Sequence, residues 1–524
     1  MKHTLTLLTA LLLAPLVAQP AAAAPATSPR PAPLTPVAPA TPRINGPSVF
    51  GVRPGSPFLY SIPASGERPM TFAVEGLPTG LTLDSATGRI TGTLARAGEY
   101  PVTLSARNAR GENQRPFRIV VGEQIALTPP MGWNSWNCWH GDVTQDAVLR
   151  AAKAMVAAGL DQHGWTYVNI DDAWQGVRGG PFNGIQANKK FPDMRSLADQ
   201  IHALGLKFGI YSGPWLLSYA GYIGSSCDNE DGTYDWIVAG NHNEFMRIGK
   251  DKGLSGAEKK ALLRHGKFPF FKQDARQWAA WGVDYLKFDW AIDVLHAEAM
   301  GQALRESGRD IFYSLSNSAN HGKATEWARI ANSWRTTGDI RDTWESISRI
   351  GFGQEKWGPY QSPGHYNDPD MFEIGANGDA KGFKLLTPDE QYTHVSLWCL
   401  LSAPLLLGCD LEKLDPFTLG LITNDEVLAL DQDPLCKPAS CVVTKENLKV
   451  YVKELADGTK AVGLFNIGET PATVTLLWEE SGLKGPQRLR DLWRQKDLGT
   501  FEGKYPVEIP AHGVSLLKLA PAKN

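Results

Sequence analysis

Excess charge is the first thing this chain lacks. Its 52 basic and 55 acidic residues leave a formal charge of −3, too little of either sign to grip a nucleic acid backbone, and no nucleic-acid partner is expected. Cysteine is scarce, six among 524 residues, and Cys138, Cys227, Cys399, Cys409, Cys436 and Cys441 show no zinc-type spacing. No His-x-x-x-His pair accompanies them, so no metal or other cofactor is expected. Long apolar runs are missing too. The strongest, Leu397 to Cys409, contains Ser402 and Pro404 and stops at Asp410. It reads as a buried strand with the end of a preceding helix, and no membrane insertion is expected.

What is present begins with an address. Lys2, the apolar stretch Leu5 to Val17 and the small residues Ala21-Ala22-Ala23 predict a signal peptide over 1–23. Export would deliver the chain to a periplasm or the cell exterior, where disulfides form. Cys436 and Cys441 are the pair close enough for a local bond, whereas Cys399 and Cys409 sit in apolar sequence and read as buried thiols. Residues 24–43 are rich in Pro and Ala and predict an extended, poorly ordered linker.

From 44 to 122 short alternating segments such as Thr71-Phe72-Ala73-Val74 are separated by turn signals such as Pro78-Thr79-Gly80 and Ala86-Thr87-Gly88. That texture predicts a small β-sandwich. The stretch Leu77 to Leu94 resembles the immunoglobulin-like modules of bacterial surface and secreted proteins, and a spacer is the favoured reading over a glycan-binding module. Alternation returns over 435–522, as in Lys449-Val450-Tyr451-Val452-Lys453, and predicts a second, antiparallel β-sandwich.

Between them, residues 128–433 alternate strand-like and helix-like segments. Strands are predicted at Met131–Trp133, Tyr167–Asp171, Lys207–Ser212, Tyr285–Asp289, Asp310–Leu315, Asn332–Thr337, Asp370–Ile374 and Pro404–Leu407. Eight strands with intervening helices point to a (β/α)8 TIM barrel, and a doubly wound sheet is weaker because the Gly-rich phosphate loop after the first strand is missing. The segment 213–269 exceeds a usual connection and would overhang the barrel mouth.

Acids recur at the predicted strand ends: Asp171 and Asp172, then Asp289 in Lys287-Phe288-Asp289-Trp290, then Asp339, then Asp368 and Asp370. Aspartate is depleted within strands and costly to bury unpaired, so these groups are better read as projecting into a site. Two carboxylates on separate strand ends are the minimum equipment for glycoside hydrolysis.

The motifs Pro130-Met131-Gly132-Trp133-Asn134, Asn169-Ile170-Asp171-Asp172-Ala173-Trp174, Gly209-Ile210-Tyr211, Leu286-Lys287-Phe288-Asp289, Trp334-Arg335 with Gly338-Asp339-Ile340, and Tyr366-Asn367-Asp368-Pro369-Asp370-Met371 occur in one order. In them the chain resembles glycoside hydrolase family 27, the retaining α-galactosidase and α-N-acetylgalactosaminidase family. The resemblance implies Asp289 as nucleophile and Asp339 as general acid and base, the latter needing a raised pKa. It implies substrate contacts from Trp133, Asp171, Asp172, Tyr211, Lys287, Ser316, Arg335 and Asp370. Asp171 and Asp172 would set galacto-configuration.

The sequence departs from animal members of the family at Ala173 and Ala291, which stand where those carry cysteine. Small Ser316 and Ala319 align with positions that gate the sugar's 2-substituent, but Asn317 and Ser318 differ from the family's usual residues. A retaining exo-α-galactosidase acting on a terminal α-galactoside is the expectation. The alternatives are α-N-acetylgalactosaminidase, β-L-arabinopyranosidase or an isomalto-dextran-type glucanase, and, outside enzymes, a glycan-binding or structural surface protein. Nothing in the sequence sets an oligomeric state.

Overall fold

The computed structural model describes residues 32–236, 256–290, 293–316, 318–375 and 386–522. The predicted signal peptide and the first part of the linker lie outside the described residues, as do Ala291 and Asn317. Eight parallel strands form the central sheet: β1 (Met131–Asn134), β2 (Tyr167–Asn169), β3 (Lys207–Ser212), β4 (Tyr285–Phe288), β5 (Phe312–Leu315), β6 (Ser333–Arg335), β7 (Tyr366–Asp368) and β8 (Leu405–Leu407). They pair in sequence order, and β8 returns to β1, so the sheet curls into a (β/α)8 barrel.

The seventh strand departs from expectation. It occupies Tyr366–Asp368 rather than Asp370–Ile374. Pro369 brings no N–H, and Asp370 takes φ +84°, which breaks the extended run before the expected segment starts. That segment instead closes the barrel: Phe372 bridges Leu407, its N–H donating to Leu406 O at 2.8 Å.

Several of the helices between strands start on side-chain caps. Thr144 accepts from Ala147 N at 3.2 Å and starts α1 (Gln145–Ala157). Asp193 accepts from Ser196 N at 2.8 Å and starts α2 (Met194–Ala203). Gly282, at φ +91°, ends α3 (Phe271–Trp281) just before β4. Asp293 caps α4 (Val294–Arg305). Inside the barrel the space is tight. A Cβ on Gly209 of β3 would lie 1.9 Å from Asn169 Oδ1 and 2.8 Å from Tyr285 Cβ, so only glycine lets β2, β3 and β4 close at that layer.

An antiparallel domain follows the barrel, with a six-stranded sheet and a two-stranded partner. The helix Pro388–Leu401, opened by a Thr387/Glu390 capping box, lies buried against it. Trp493 Nε1 bonds Ser396 Oγ of that helix at 2.9 Å.

The amino-terminal sandwich packs four strands against three and sits on the barrel's bottom, where strands begin. Arg53 Nε pairs with Asp310 Oδ1 at 2.7 Å, and Ser56 Oγ bonds the same oxygen at 3.0 Å. Ser61 Oγ reaches Gly205 O at 3.0 Å, and Lys207 Nζ stands 4.7 Å over the Phe50 ring. The module therefore docks on the face opposite the strand C-termini.

Two expectations are corrected. The described part of the linker is held down: Leu34 N donates to Tyr392 Oη at 2.8 Å and Thr35 Oγ1 to Gly420 O at 2.6 Å. A low-hydrophobicity stretch stays in place when its backbone groups find partners. Cys436 and Cys441 form no disulfide; both are free thiols. Among the described residues, no helix is long and apolar enough to cross a membrane.

At the barrel's bottom Asp284 accepts from Arg309 Nη2 at 2.6 Å, His202 Nε2 at 2.7 Å and Phe208 N at 2.9 Å. Burial opposes its charge, yet Arg309, His202 and Lys207 together hold the carboxyl down at about 2. A depressed carboxylate contributes stability above its unfolded pKa and loses it as pH falls through the folded value. Asp284→Asn should thus cost on the order of 3 kcal/mol at neutral pH. The deficit in thermal midpoint relative to the unaltered protein should shrink as pH falls from about 4 toward 2. A deficit independent of pH would contradict this.

Candidate active site

The strand C-termini surround a cavity of about 440 Å³, large enough for a small ligand. Lys287 enters it from β4, where its register opposite Tyr211 of β3 brings the two side chains together. Asp289 follows β4 directly, Ser316 follows β5, and Arg335 ends β6. Asp171, Tyr211, Asp339 and Asp370 join them on the cavity wall.

Several of these turns are held in left-handed backbone. Ala173 (φ +86°), Trp290 (φ +67°), Ser318 (φ +52°) and Asp370 (φ +84°) follow β2, β4, β5 and β7. Such strain in non-glycine residues costs of order 1–3 kcal/mol each and persists where surrounding structure imposes it. At Trp290 the result is visible, because its N–H donates to Asp289 Oδ1 at 2.9 Å. Tyr211 Oη donates to the other oxygen, Oδ2, at 3.0 Å.

Lys287 Nζ pairs with Asp171 Oδ2 at 2.8 Å, and Asn134 Nδ2 donates to the same oxygen at 2.9 Å. Across the cavity Arg335 Nη2 contacts Asp370 Oδ2 at 2.8 Å and Asp339 Oδ1 at 3.0 Å. Its Nη1 is 3.4 Å from Ser316 Oγ. Arg335 is 5% exposed at its side chain while Asp339 is 82% exposed, so the pair reaches from the interior to the open mouth.

The two central carboxyls differ in proton affinity. Burial raises Asp289, and Asp171 adds to the rise, against Lys287 and the two hydrogen bonds just described. At Asp339 burial also opposes ionisation, but Arg335, then Lys287 and Arg341, hold the carboxyl below the usual range. The resemblance implied a raised value for Asp339. The difference arises because nothing intervenes between its carboxylate and the Arg335 guanidinium.

Two residues expected at the ligand are not part of the cavity lining. Trp133 is fully buried and its Nε1 donates to Cys409 O at 2.9 Å; from the same run Trp136 reaches the cavity wall. Asp172 is buried behind Asp171, its Oδ2 accepting from Ala220 N at 2.6 Å, and burial pushes its carboxyl up to about 6. Tyr219, Trp290, Asn137, Arg341, Met371 and Glu373 also line the cavity, and none was named as a substrate contact from sequence. Trp290 and Met371 directly follow Asp289 and Asp370, and Trp136 and Arg341 lie two residues beyond Asn134 and Asp339 on the mouth side. That position past a strand end is the signal that would have found them.

One other group of donors converges among the described residues: His265, Asp293 and His296. The two imidazoles lie face to face, centroids 3.6 Å apart and 7° from parallel, so their in-plane lone pairs cannot both point at one ion. Asp293 meets His296 Nδ1 at 2.8 Å and His265 Nε2 at 3.1 Å. This is a clasp joining the long insertion to the segment after β4.

A cleft of paired acids at the mouth of such a barrel is the equipment of a glycoside hydrolase. The chain belongs to glycoside hydrolase family 27: the alpha galactosidase A family model matches residues 128–239 and 250–433. The alpha galactosidase C-terminal beta sandwich model matches 445–519, and an Ig-domain model matches 41–122. The chain is 36% identical to an α-galactosidase of Cyamopsis tetragonoloba over 79% of its own length and 91% of the relative's. A Bacteroides fragilis structure assigned as an α-galactosidase superposes with TM-score 0.79 at 32% identity, covering 92% of this chain and 98% of that one. A β-L-arabinopyranosidase of Geobacillus stearothermophilus superposes with TM-score 0.62 at 29% identity, covering 76% and 98%.

In an NMR titration of carboxyl-labelled aspartate, Asp289 should gain its proton at higher pH than Asp339. Lys287→Met should move Asp289 further up, since the cation favours its ionised form. The opposite order of the two carboxyls would overturn the electrostatic description.

Proposed function

We propose that this glycoside hydrolase is an exported, retaining exo-α-galactosidase. The observation that carries the reading is that Asp289 and Asp339 face one cavity whose inner wall is Asp171, Tyr211 and Lys287. Asp289 attacks the anomeric carbon and forms a glycosyl ester. Asp339 protonates the departing oxygen, then takes a proton from the water that releases the sugar. The hydrogen-bonded Asp171 carboxylate suits a sugar hydroxyl, and a site built that way rejects epimers lacking it.

The low proton affinity of Asp339 becomes part of the mechanism. Arg335 holds that carboxylate ionised while water reaches it. A bound sugar displaces that water, and the added burial pushes Asp339 toward holding the proton it must donate. Substrate binding and acid loading are thereby coupled. Export rests on the amino-terminal sequence Met1 to Ala23.

On an unactivated alkyl α-galactoside, Asp289→Ala and Asp339→Ala should each lower kcat at least about 1000-fold, a barrier increase of about 4 kcal/mol. Proton NMR should show α-galactose as the first product. Near-normal turnover in either variant, or β-galactose appearing first, would contradict the proposal. A panel of aryl α-galactoside, α-N-acetylgalactosaminide, β-L-arabinopyranoside and α-glucoside separates the specificities found within the family.

A further inference from the structure

An aromatic arch crosses part of the cavity and does not enter the chemistry above. Trp136 lies two residues beyond β1 and Trp290 two residues beyond β4. Tyr219, from the insertion that follows β3, lies between them. Its ring centroid is 5.6 Å from Trp136 at 75° and 5.6 Å from Trp290 at 21°. Edge-to-face and offset-stacked pairs of this kind contribute roughly 0.5–1.5 kcal/mol each beyond burial. Trp215 packs behind Trp290 at 5.2 Å. Because β2 and β3 stand between β1 and β4 in the sheet, the three rings bridge the side of the cavity that holds Asp171 and Tyr211.

The arch is anchored through its backbone. Ala220 N bonds Asp172 at 2.6 Å, and Tyr219 N lies 3.4 Å from Tyr211 Oη. The strained φ of Trp290 fixes the other abutment. Tyr219 is nevertheless 54% exposed, so the wall is one ring thick, with the cavity on one side and solvent on the other. The opposite side is open, where Asp339 stands 82% exposed.

We propose that Tyr219 is a specificity-determining residue: its ring closes the pocket at the end remote from the leaving group. The site then accepts only a galactosyl unit with nothing attached at its far carbons. This rests on the α-galactosidase reading. A unit with its anomeric carbon between Asp289 and Asp339 and its hydroxyls toward Asp171 puts its 4- and 6-carbons under the arch. A sugar attached there would have to pass through the Tyr219 ring.

The test uses the full-length protein and two substrates, an aryl α-galactoside and the same compound carrying an α-galactosyl group on O6. The unaltered protein should release aryl alcohol from the second only after a lag, once the outer galactose is gone. Tyr219→Ala should release a digalactoside in its first turnovers, raising the substituted-to-plain rate ratio at least about tenfold. Tyr219→Phe should keep the lag. Should Tyr219→Ala not fold, Tyr219→Leu, which removes the ring but fills part of its volume, should shorten the lag in the same direction. A folded ring-less variant with an unchanged lag overturns the arch while plain-substrate activity leaves the galactosidase reading intact. An unaltered protein inactive on the plain galactoside overturns that reading, and the role given to Tyr219 with it.

Discussion

The site depends on one buried cation. Lys287 projects from β4 into a pocket that contains Asp171 and Asp289, and its ammonium lies 2.8 Å from Asp171. Two carboxylates so close together in a low-dielectric pocket would repel, and one would take up a proton. Lys287 lowers that cost for both: burial works against its own charge, and the paired acids more than restore it. Asp289 still feels a net upward push, even with the Trp290 N–H and the Tyr211 hydroxyl donating to its opposite oxygens. A carboxylate held by donors on both oxygens is fixed in orientation, as the proposed nucleophile must be.

Arg335 plays the complementary part on the other wall. It is bound to buried Asp370 and to exposed Asp339, so its position is set by one acid while its remaining capacity is shared with the other. In the proposed reaction a bound sugar adds to the burial of Asp339 and so raises its proton affinity without moving the backbone. The rigid frame for this is built at the bottom of the barrel, where Asp284, Arg309 and His202 tie strand starts together and the amino-terminal module covers them. Stability and chemistry thus occupy opposite ends of the same strands.

Much of this was legible in the sequence, for a physical reason. A parallel barrel strand is a mostly apolar run, and an aspartate at its end marks the mouth, so Asp289 after Tyr285–Phe288 and Asp171 just past Tyr167–Asn169 could be placed by inspection. Strand faces alternate, and that is harder to read from sequence. Trp133 and Trp136 belong to one short tryptophan-rich run, yet Trp133 points into the core and only Trp136, past the strand's end, reaches the cavity. The seventh strand was misplaced because Phe372 and Ile374 are as apolar as a strand requires; the positive φ of Asp370 leaves no compositional trace. Contacts distant in sequence were not legible at all. Tyr219 meets Trp136 and Trp290 through an insertion whose path local pattern does not encode, and the Pro/Ala-rich stretch is pinned by Tyr392 and Gly420 from the far end of the barrel.

The central claim is that Asp289 becomes covalently joined to the sugar. The direct measurement is peptide mapping by mass spectrometry after brief exposure to a fluorinated galactosyl donor whose ester intermediate turns over slowly. The account predicts one galactosyl adduct per chain, located on Asp289 and absent when a competing galactoside fills the pocket. A stable adduct on any other side chain, or turnover of the donor with none formed on Asp289, would contradict it.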